Sequence, residues 1–260
     1  MSNNQPIGIF DSGVGGLSVL VEIKARLPYE SSVFLADQAH NPYGQKSKRE
    51  LKNLSVRITR FLLKRDIKAL VIACNTATCY ALDYLRSRFK IPIIGVVPAV
   101  KPAVTLTKNG KIAIMSTPAT AKSRYLDSLV LDFADHLDVL KLGCDGLEES
   151  IEYLKRDNIE KLLDKYAKRI RNFGADTVVL GCTHFPFFKV DIKKRLNPKV
   201  KMIDSGAAIA KRVEFILRKE KMQATKQARD LYFTTADPKK FSEVATKLLN
   251  YKVVGMPARI

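Results

Sequence analysis

A chain of 260 residues, 46% hydrophobic and 27% charged, can bury one large core or two modest ones and is too apolar to stay disordered. No apolar run approaches the ~20 residues of a bilayer span, and MSNNQPIGIFDSG lacks the layout of a secretory signal, so a cytoplasmic location with no membrane contact is expected. The net charge of +19 attracts anions in general, yet its cations are spread over segments 49–65, 155–171 and 189–195 without a basic tail or an RNA-binding aromatic signature. A solvated basic surface, with no nucleic acid required, is the expectation.

In chain order, the first predicted strand is Ile7–Phe10, followed by Asp11, Ser12 and a glycine-rich turn. That turn, GVGGLS, is not a GxGxxG nucleotide fingerprint. A helix at Leu17–Leu27 and a strand at Val33–Ala36 lead to a loop holding His40, Pro42, Tyr43 and Gly44. Helix Leu51–Leu63 and strand Ala69–Ala73 then bring the chain to Cys74, Asn75 and Thr76, at the start of helix Ala77–Phe89. Strands follow at Ile93–Val97, Ile112–Met115 and Leu137–Leu142, with Thr117 and Thr120 after the second and Cys144, Glu148 and Glu149 after the third. Helix Ile159–Phe173 and strand Thr177–Leu180 precede Cys182, Thr183 and His184. Strand Lys201–Ile203, helix Ile209–Leu217 and strand Leu231–Thr234 complete the pattern.

Alternation of this kind predicts an α/β fold with mostly parallel sheets. Two motif pairs add an internal repeat. IGIFDSG and IAIMSTP are offset by 105 positions, and KALVIACNTAT and ADTVVLGCTHF by 108. Near-equal offsets in one order predict two pseudo-symmetric α/β domains, 1–97 plus 204–260 and 98–203, facing an interdomain cleft. Ligands of such folds bind beyond the carboxyl ends of the strands, where all four motifs place their polar residues.

The four cysteines show neither a CxxC pair nor zinc-ligand spacing, so no metal is expected. Cys74 and Cys182 each follow a buried-looking strand and precede a predicted helix, whose N-terminal N–H groups favour thiolate. Read singly, each is most simply a small buried hydrophobe. Read as a matched pair in a duplicated fold, they suit inversion of a carbon centre, one removing a proton from one face while the other returns one to the opposite face. Cys79 and Cys144 are expected to be packing residues, with a site role left open for Cys144 because its turn lies near the expected cleft. Asp11 and Ser12 also read as helix caps.

Beyond these residues, IGIFDSGVGGLSVL, DQAHNPYGQKS, VIACNTAT, IIGVVPAVKPA, MSTPATAKS, VVLGCTHFPFF and IDSGAAIA together resemble the glutamate racemases of the aspartate/glutamate racemase superfamily. The resemblance runs from about Ile7 to about Arg212, with a looser match at LYFTTADP, and GCTHFP is its most specific piece. It implies interconversion of L- and D-glutamate for peptidoglycan synthesis, without pyridoxal phosphate or metal, by proton transfer through Cys74 and Cys182. It further implies that Asp11, Ser12, Pro42, Tyr43, Gly44, Asn75, Thr76, Thr183 and His184 bind substrate or orient the thiols, and that Thr117 and Thr120 supply hydroxyls from the second domain. A catalytic acid is implied near the second cysteine. Glu148 matches it, although CDGLEES lacks the proline common before that acid, and Glu149 is the alternative. The partner implied is the small-molecule substrate, with a homodimer left open. Rival readings are an aspartate or other amino-acid racemase of the same superfamily, and a basic nucleic-acid-binding protein on an inactive racemase-like fold.

Overall fold

The computed structural model describes residues 3–226 and 228–260. In chain order its elements are β1 (Ile7–Asp11), α1 (Leu17–Arg26), β2 (Ser32–Ala36), α2 (Lys48–Leu63), β3 (Ala69–Ile72), α3 (Asn75–Arg88), β4 (Ile93–Gly95), α4 (Val100–Leu106) and β5 (Lys111–Ser116). There follow α5 (Pro118–Ala121), α6 (Arg124–Ala134), β6 (Asp138–Gly143), α7 (Leu147–Glu152), α8 (Arg156–Phe173), β7 (Thr177–Leu180), α9 (Lys189–Lys194) and β8 (Lys201–Asp204). The chain finishes with α10 (Gly206–Lys219), β9 (Leu231–Thr234), α11 (Pro238–Leu249) and β10 (Gly255–Pro257). Among the described residues, no helix is long and apolar enough to cross a membrane.

Two compact units divide the chain, one made of 1–96 and 206–260 and the other of 97–205. The first holds a six-stranded sheet in the order β10-β9-β2-β1-β3-β4, the second a four-stranded sheet in the order β6-β5-β7-β8. Every pairing is parallel. The central strands β1, β2 and β3 are buried throughout, which explains their continuous Ile, Val, Leu and Phe content.

The order β2-β1-β3-β4 in the first unit is repeated as β6-β5-β7-β8 in the second, and the repeat extends to register. Phe10 pairs with Ile72 across β1 and β3, and Met115 with Leu180 across β5 and β7. Two residues beyond each pair stand Ser12 and Cys74 in one unit, Thr117 and Cys182 in the other. The backbone bonds just past the strands match as well. Ala73 N–H donates to Phe10 O at 2.8 Å and Gly181 N–H to Met115 O at 2.7 Å; Asp37 N–H donates to Asp11 O at 2.9 Å and Cys144 N–H to Ser116 O at 2.7 Å. Duplication therefore holds at the level of individual hydrogen bonds.

Local signals set the helices. Ser47 and Glu50 form a reciprocal capping box at the start of α2. Thr117 caps α5 ahead of Pro118, and Asp237 caps α11 ahead of Pro238. Gly174 ends α8 in the left-handed conformation that favours glycine.

Candidate active site

In the first unit, β1 ends on Asp11, which is fully buried. Ser12 donates to Asp11 Oδ1 at 3.0 Å, and the Cys74 thiol lies 3.7 Å from Ser12 Oγ. Cys74 is itself the N-cap of α3 and accepts the Ala77 N–H at 3.4 Å. A sulfur so placed meets the positive end of a 14-residue helix, the setting that favours thiolate. The helix starts after the glycine-rich turn fall on Gly13 and Gly16, neither of which has a side chain to cap with. Gly16 is needed for another reason: a Cβ there would stand 2.7 Å from Asp11 Cβ and 2.9 Å from Asp11 Oδ2. The turn thus packs its backbone directly against the acid.

The loop after β2 supplies the rest of this cluster. Asp37, fully buried and not singled out from sequence, accepts from Tyr43 Oη at 2.7 Å and Thr235 Oγ1 at 2.8 Å, and its Oδ1 lies 2.7 Å from His40 Nδ1. Burial, then the charge and hydrogen bond of Asp37, hold the Tyr43 phenol well above its ordinary range, with Cys74 and Asp11 adding to the rise. Tyr43 therefore stays a neutral donor. Pro42 and Gly44, on either side of Tyr43, are half-buried, and Asn41 Nδ2 reaches Ser12 O at 3.4 Å. Asn75 and Thr76 are buried at the start of α3, and Asn75 Oδ1 has no hydrogen-bond partner among the described residues. A buried acceptor left open in this way costs free energy unless a ligand donor meets it.

In the second unit, Cys182 follows β7 as Cys74 follows β3, but its local structure departs from expectation. No α-helix starts at Cys182; the chain turns, and Phe185–Phe188 form a short 3-10 helix with Pro186 inside it. Phe185 and Phe188 are buried in the core of this unit, which fixes the turn. The polar partner of this thiol is instead His184, with Nδ1 at 3.7 Å from Cys182 Sγ and Nε2 at 2.7 Å from Glu152 Oε2. His184 and Glu152 are both almost completely buried.

Burial pushes the Cys182 thiol up, the negative charge of Glu148 adds to that rise, and the His184 hydrogen bond opposes it. For His184, burial is the largest influence and favours the neutral ring. Its bonds to Cys182 and Glu152 outweigh burial and hold the imidazolium well above its ordinary range. Glu148 is half-buried, whereas Glu149 is exposed and pairs with Lys155 at 3.0 Å. The acid that touches His184 is Glu152, one turn beyond Glu148 on the inner side of α7.

Thr183 is buried beside Cys182. Thr117 and Thr120 are bonded to each other at 3.1 Å between hydroxyls. Cys144, the register counterpart of Asp37, is buried with its thiol pushed up by desolvation. His136 is exposed beside Asp135. All four cysteines are free.

Comparison with known proteins places these clusters in context. The Asp/Glu/Hydantoin racemase family model matches residues 19–213. A glutamate racemase of Herpetosiphon aurantiacus is 40% identical over 245 residues, covering 93% of this chain and 96% of that protein. Among solved structures, a glutamate racemase isoform of Bacillus anthracis superposes with a TM-score of 0.90 at 30% identity, covering 99% of this chain and 98% of the other. The Escherichia coli glutamate racemase, crystallised with L-glutamate and the activator UDP-MurNAc-Ala, gives a TM-score of 0.84 at 32% identity, covering 98% and 99%.

Proposed function

Because this chain belongs to the Asp/Glu/hydantoin racemase family, we infer that it is a glutamate racemase, an isomerase that supplies D-glutamate for peptidoglycan synthesis. The observation that carries the mechanism is the matched register of Cys74 and Cys182, each two residues beyond the corresponding strand pair of a repeated unit. In the proposed reaction one cysteine, as thiolate, takes the α-proton of glutamate from one face. The other, as thiol, gives a proton to the opposite face, and the pair exchange roles in the reverse direction. The reaction is written without a cofactor, so the carbanion developing beside the α-carboxylate is stabilised by fixed dipoles and donors. Thr76, Thr183, Thr117 and Thr120 are the proposed donors to substrate carboxylates.

On the Cys74 side, Asp11 acts through Ser12 on the thiol and, with the open Asn75 Oδ1, holds the substrate ammonium. On the Cys182 side, the Glu152–His184 pair presents an imidazolium to the sulfur and so favours its thiolate when a proton must leave the substrate. His184 and Glu152 are positioning residues in this scheme; Glu148 modulates the same sulfur by its charge. Both thiols belong to one chain, so neither nucleic acid nor a second subunit is needed for the chemistry. A cytoplasmic location is part of the same proposal, because the two working thiols must stay reduced.

The test is incubation with L-glutamate in heavy water without added cofactor, following optical rotation and deuterium at Cα. Loss of rotation together with Cα deuteration is expected, and faster turnover of aspartate than of glutamate would overturn the substrate assignment. Cys74→Ser and Cys182→Ser are each expected to abolish turnover with an unchanged circular-dichroism spectrum, since a serine hydroxyl is too weakly acidic to exchange roles near neutral pH. Near wild-type turnover in either variant would refute the two-thiol scheme.

A further inference from the structure

A concave site lies within the 97–205 unit, at the start of its edge strand, and no cysteine lines it. It is a groove of about 930 Å³, bounded by α9, the 196–200 turn, the edge strand β8 and the end of α4. That volume falls in the range of small-molecule sites. Its floor is apolar, made by Leu106, Leu196, Val200 and Met202. Its rim carries Lys189, Lys193, Lys194, Lys199 and Lys201, and no acidic residue lines it.

The lysines are not simply a solvated fringe. Lys193 Nζ donates to Pro198 O at 2.8 Å and also to Val200 O, and Lys201 Nζ donates to Leu106 O at 3.2 Å. Backbone carbonyls of the groove wall therefore fix two ammonium groups at its edge without neutralising them. Lys189 is compensated by Asp204 at 2.9 Å, but among the described residues Lys193, Lys194, Lys199 and Lys201 pair with no carboxylate. Four uncompensated cations around an apolar floor complement one kind of guest: an anionic head carried on a hydrocarbon body.

We propose that this groove binds a free, monomeric amphiphilic carboxylate, with its chain on the Leu106–Met202 floor and its head among Lys193, Lys194, Lys199 and Lys201. A shorter acid leaves the floor uncovered, and a neutral amphiphile leaves the rim unanswered. Affinity then depends on both parts of the ligand, which separates this site from a general attraction of anions to a basic protein.

Octanoate, octanol and butyrate are the probes. Binding is read by calorimetry and by the ε-methyl resonances of a chain labelled at its five methionines. Octanoate is expected to shift the Met202 methyl and to bind about ten-fold more tightly than octanol. It is expected to bind about a hundred-fold more tightly than butyrate, from four additional buried methylenes. The double variant Lys194→Glu/Lys199→Glu, which spares the carbonyl-anchored lysines, should weaken octanoate about ten-fold while leaving octanol binding and glutamate turnover unchanged. Equal binding of octanoate and octanol, equal binding of octanoate and butyrate, or an unmoved Met202 methyl would each overturn the proposal. So would octanoate affinity unaffected by the double variant.

Discussion

Glu152 and His184 form a buried acid–imidazole pair whose other end rests against a sulfur. The folded chain holds the His184 proton more tightly than an ordinary imidazole near pH ~6.5 does. The sign follows from linkage: the stability this proton contributes is fully present below about pH 6.5 and is lost as pH rises through the elevated folded value. Glu152→Gln removes one of the two bonds that sustain the elevation. Its unfolding midpoint should therefore fall furthest below wild type in mildly acidic buffer, with the gap narrowing as pH rises. Turnover should drop roughly ten- to a hundred-fold with little change in KM, because the carboxylate acts through His184 rather than on substrate. A pH-independent gap in the unfolding midpoint would show that the pair is not charged in the folded chain. The sequence exposes His184 through GCTHFP but hides its partner. Glu152 lies 32 residues upstream in a short acidic helix where the sequence points to Glu148, with Glu149 as the alternative, and only the direction of each side chain on α7 separates them. Asp37 is hidden likewise, because ADQAH reads as an ordinary loop until Tyr43, His40 and Thr235 converge on one carboxylate.

The glycine-rich turn between β1 and α1 shows how an element positions a charge. A Cβ at Gly16 would meet both Asp11 and Ala73 Cβ, the latter at 3.0 Å. Gly16→Ala is therefore expected to displace the Asp11 carboxylate at a stability cost of about 1–3 kcal/mol. The accompanying loss of turnover should be about ten-fold or more, since displacements of this size misalign a working group. Thermal unfolding and steady-state kinetics measured on one sample check both parts, and full activity would show that Asp11 tolerates the shift. The strands were legible because each is a short apolar run bounded by polar residues. β10 was not: a three-residue edge strand of Gly, Met and Pro reads as a turn, and it exists because β9 offers it an open edge. The helix expected after Cys182 is a 3-10 turn because Pro186 and two inward phenylalanines shape that segment, whereas ACNTAT opens a regular helix.

At the scale of the whole molecule, the first unit is assembled from both ends of the chain and the second from one continuous stretch. A buried clasp holds those ends together. Lys68, with no side-chain exposure, lies 2.5 Å from Glu30 and donates to Asn3 O at 2.7 Å and Met222 O at 2.8 Å, while Glu30 accepts from Ala224 N–H at 2.8 Å. Lys68→Met leaves Glu30 buried without its cation and should cost about 3–5 kcal/mol in urea unfolding. Adding Glu30→Gln should recover part of that loss, and a single variant as stable as wild type would show that the clasp contributes nothing.

The interrupted layout of the first unit also has a consequence for the order in which the protein matures on the ribosome. Segment 97–205 holds every strand of its own sheet and leaves the exit tunnel ahead of β9, β10 and their helices. The middle of the polypeptide is then expected to become native before the beginning is finished, with the amino-terminal strands completed only by the carboxyl-terminal ones. A fragment spanning 97–205 should unfold cooperatively on its own, and one spanning 1–96 should not; nascent chains arrested once residue 205 has cleared the exit tunnel should already resist proteolysis in the middle segment alone.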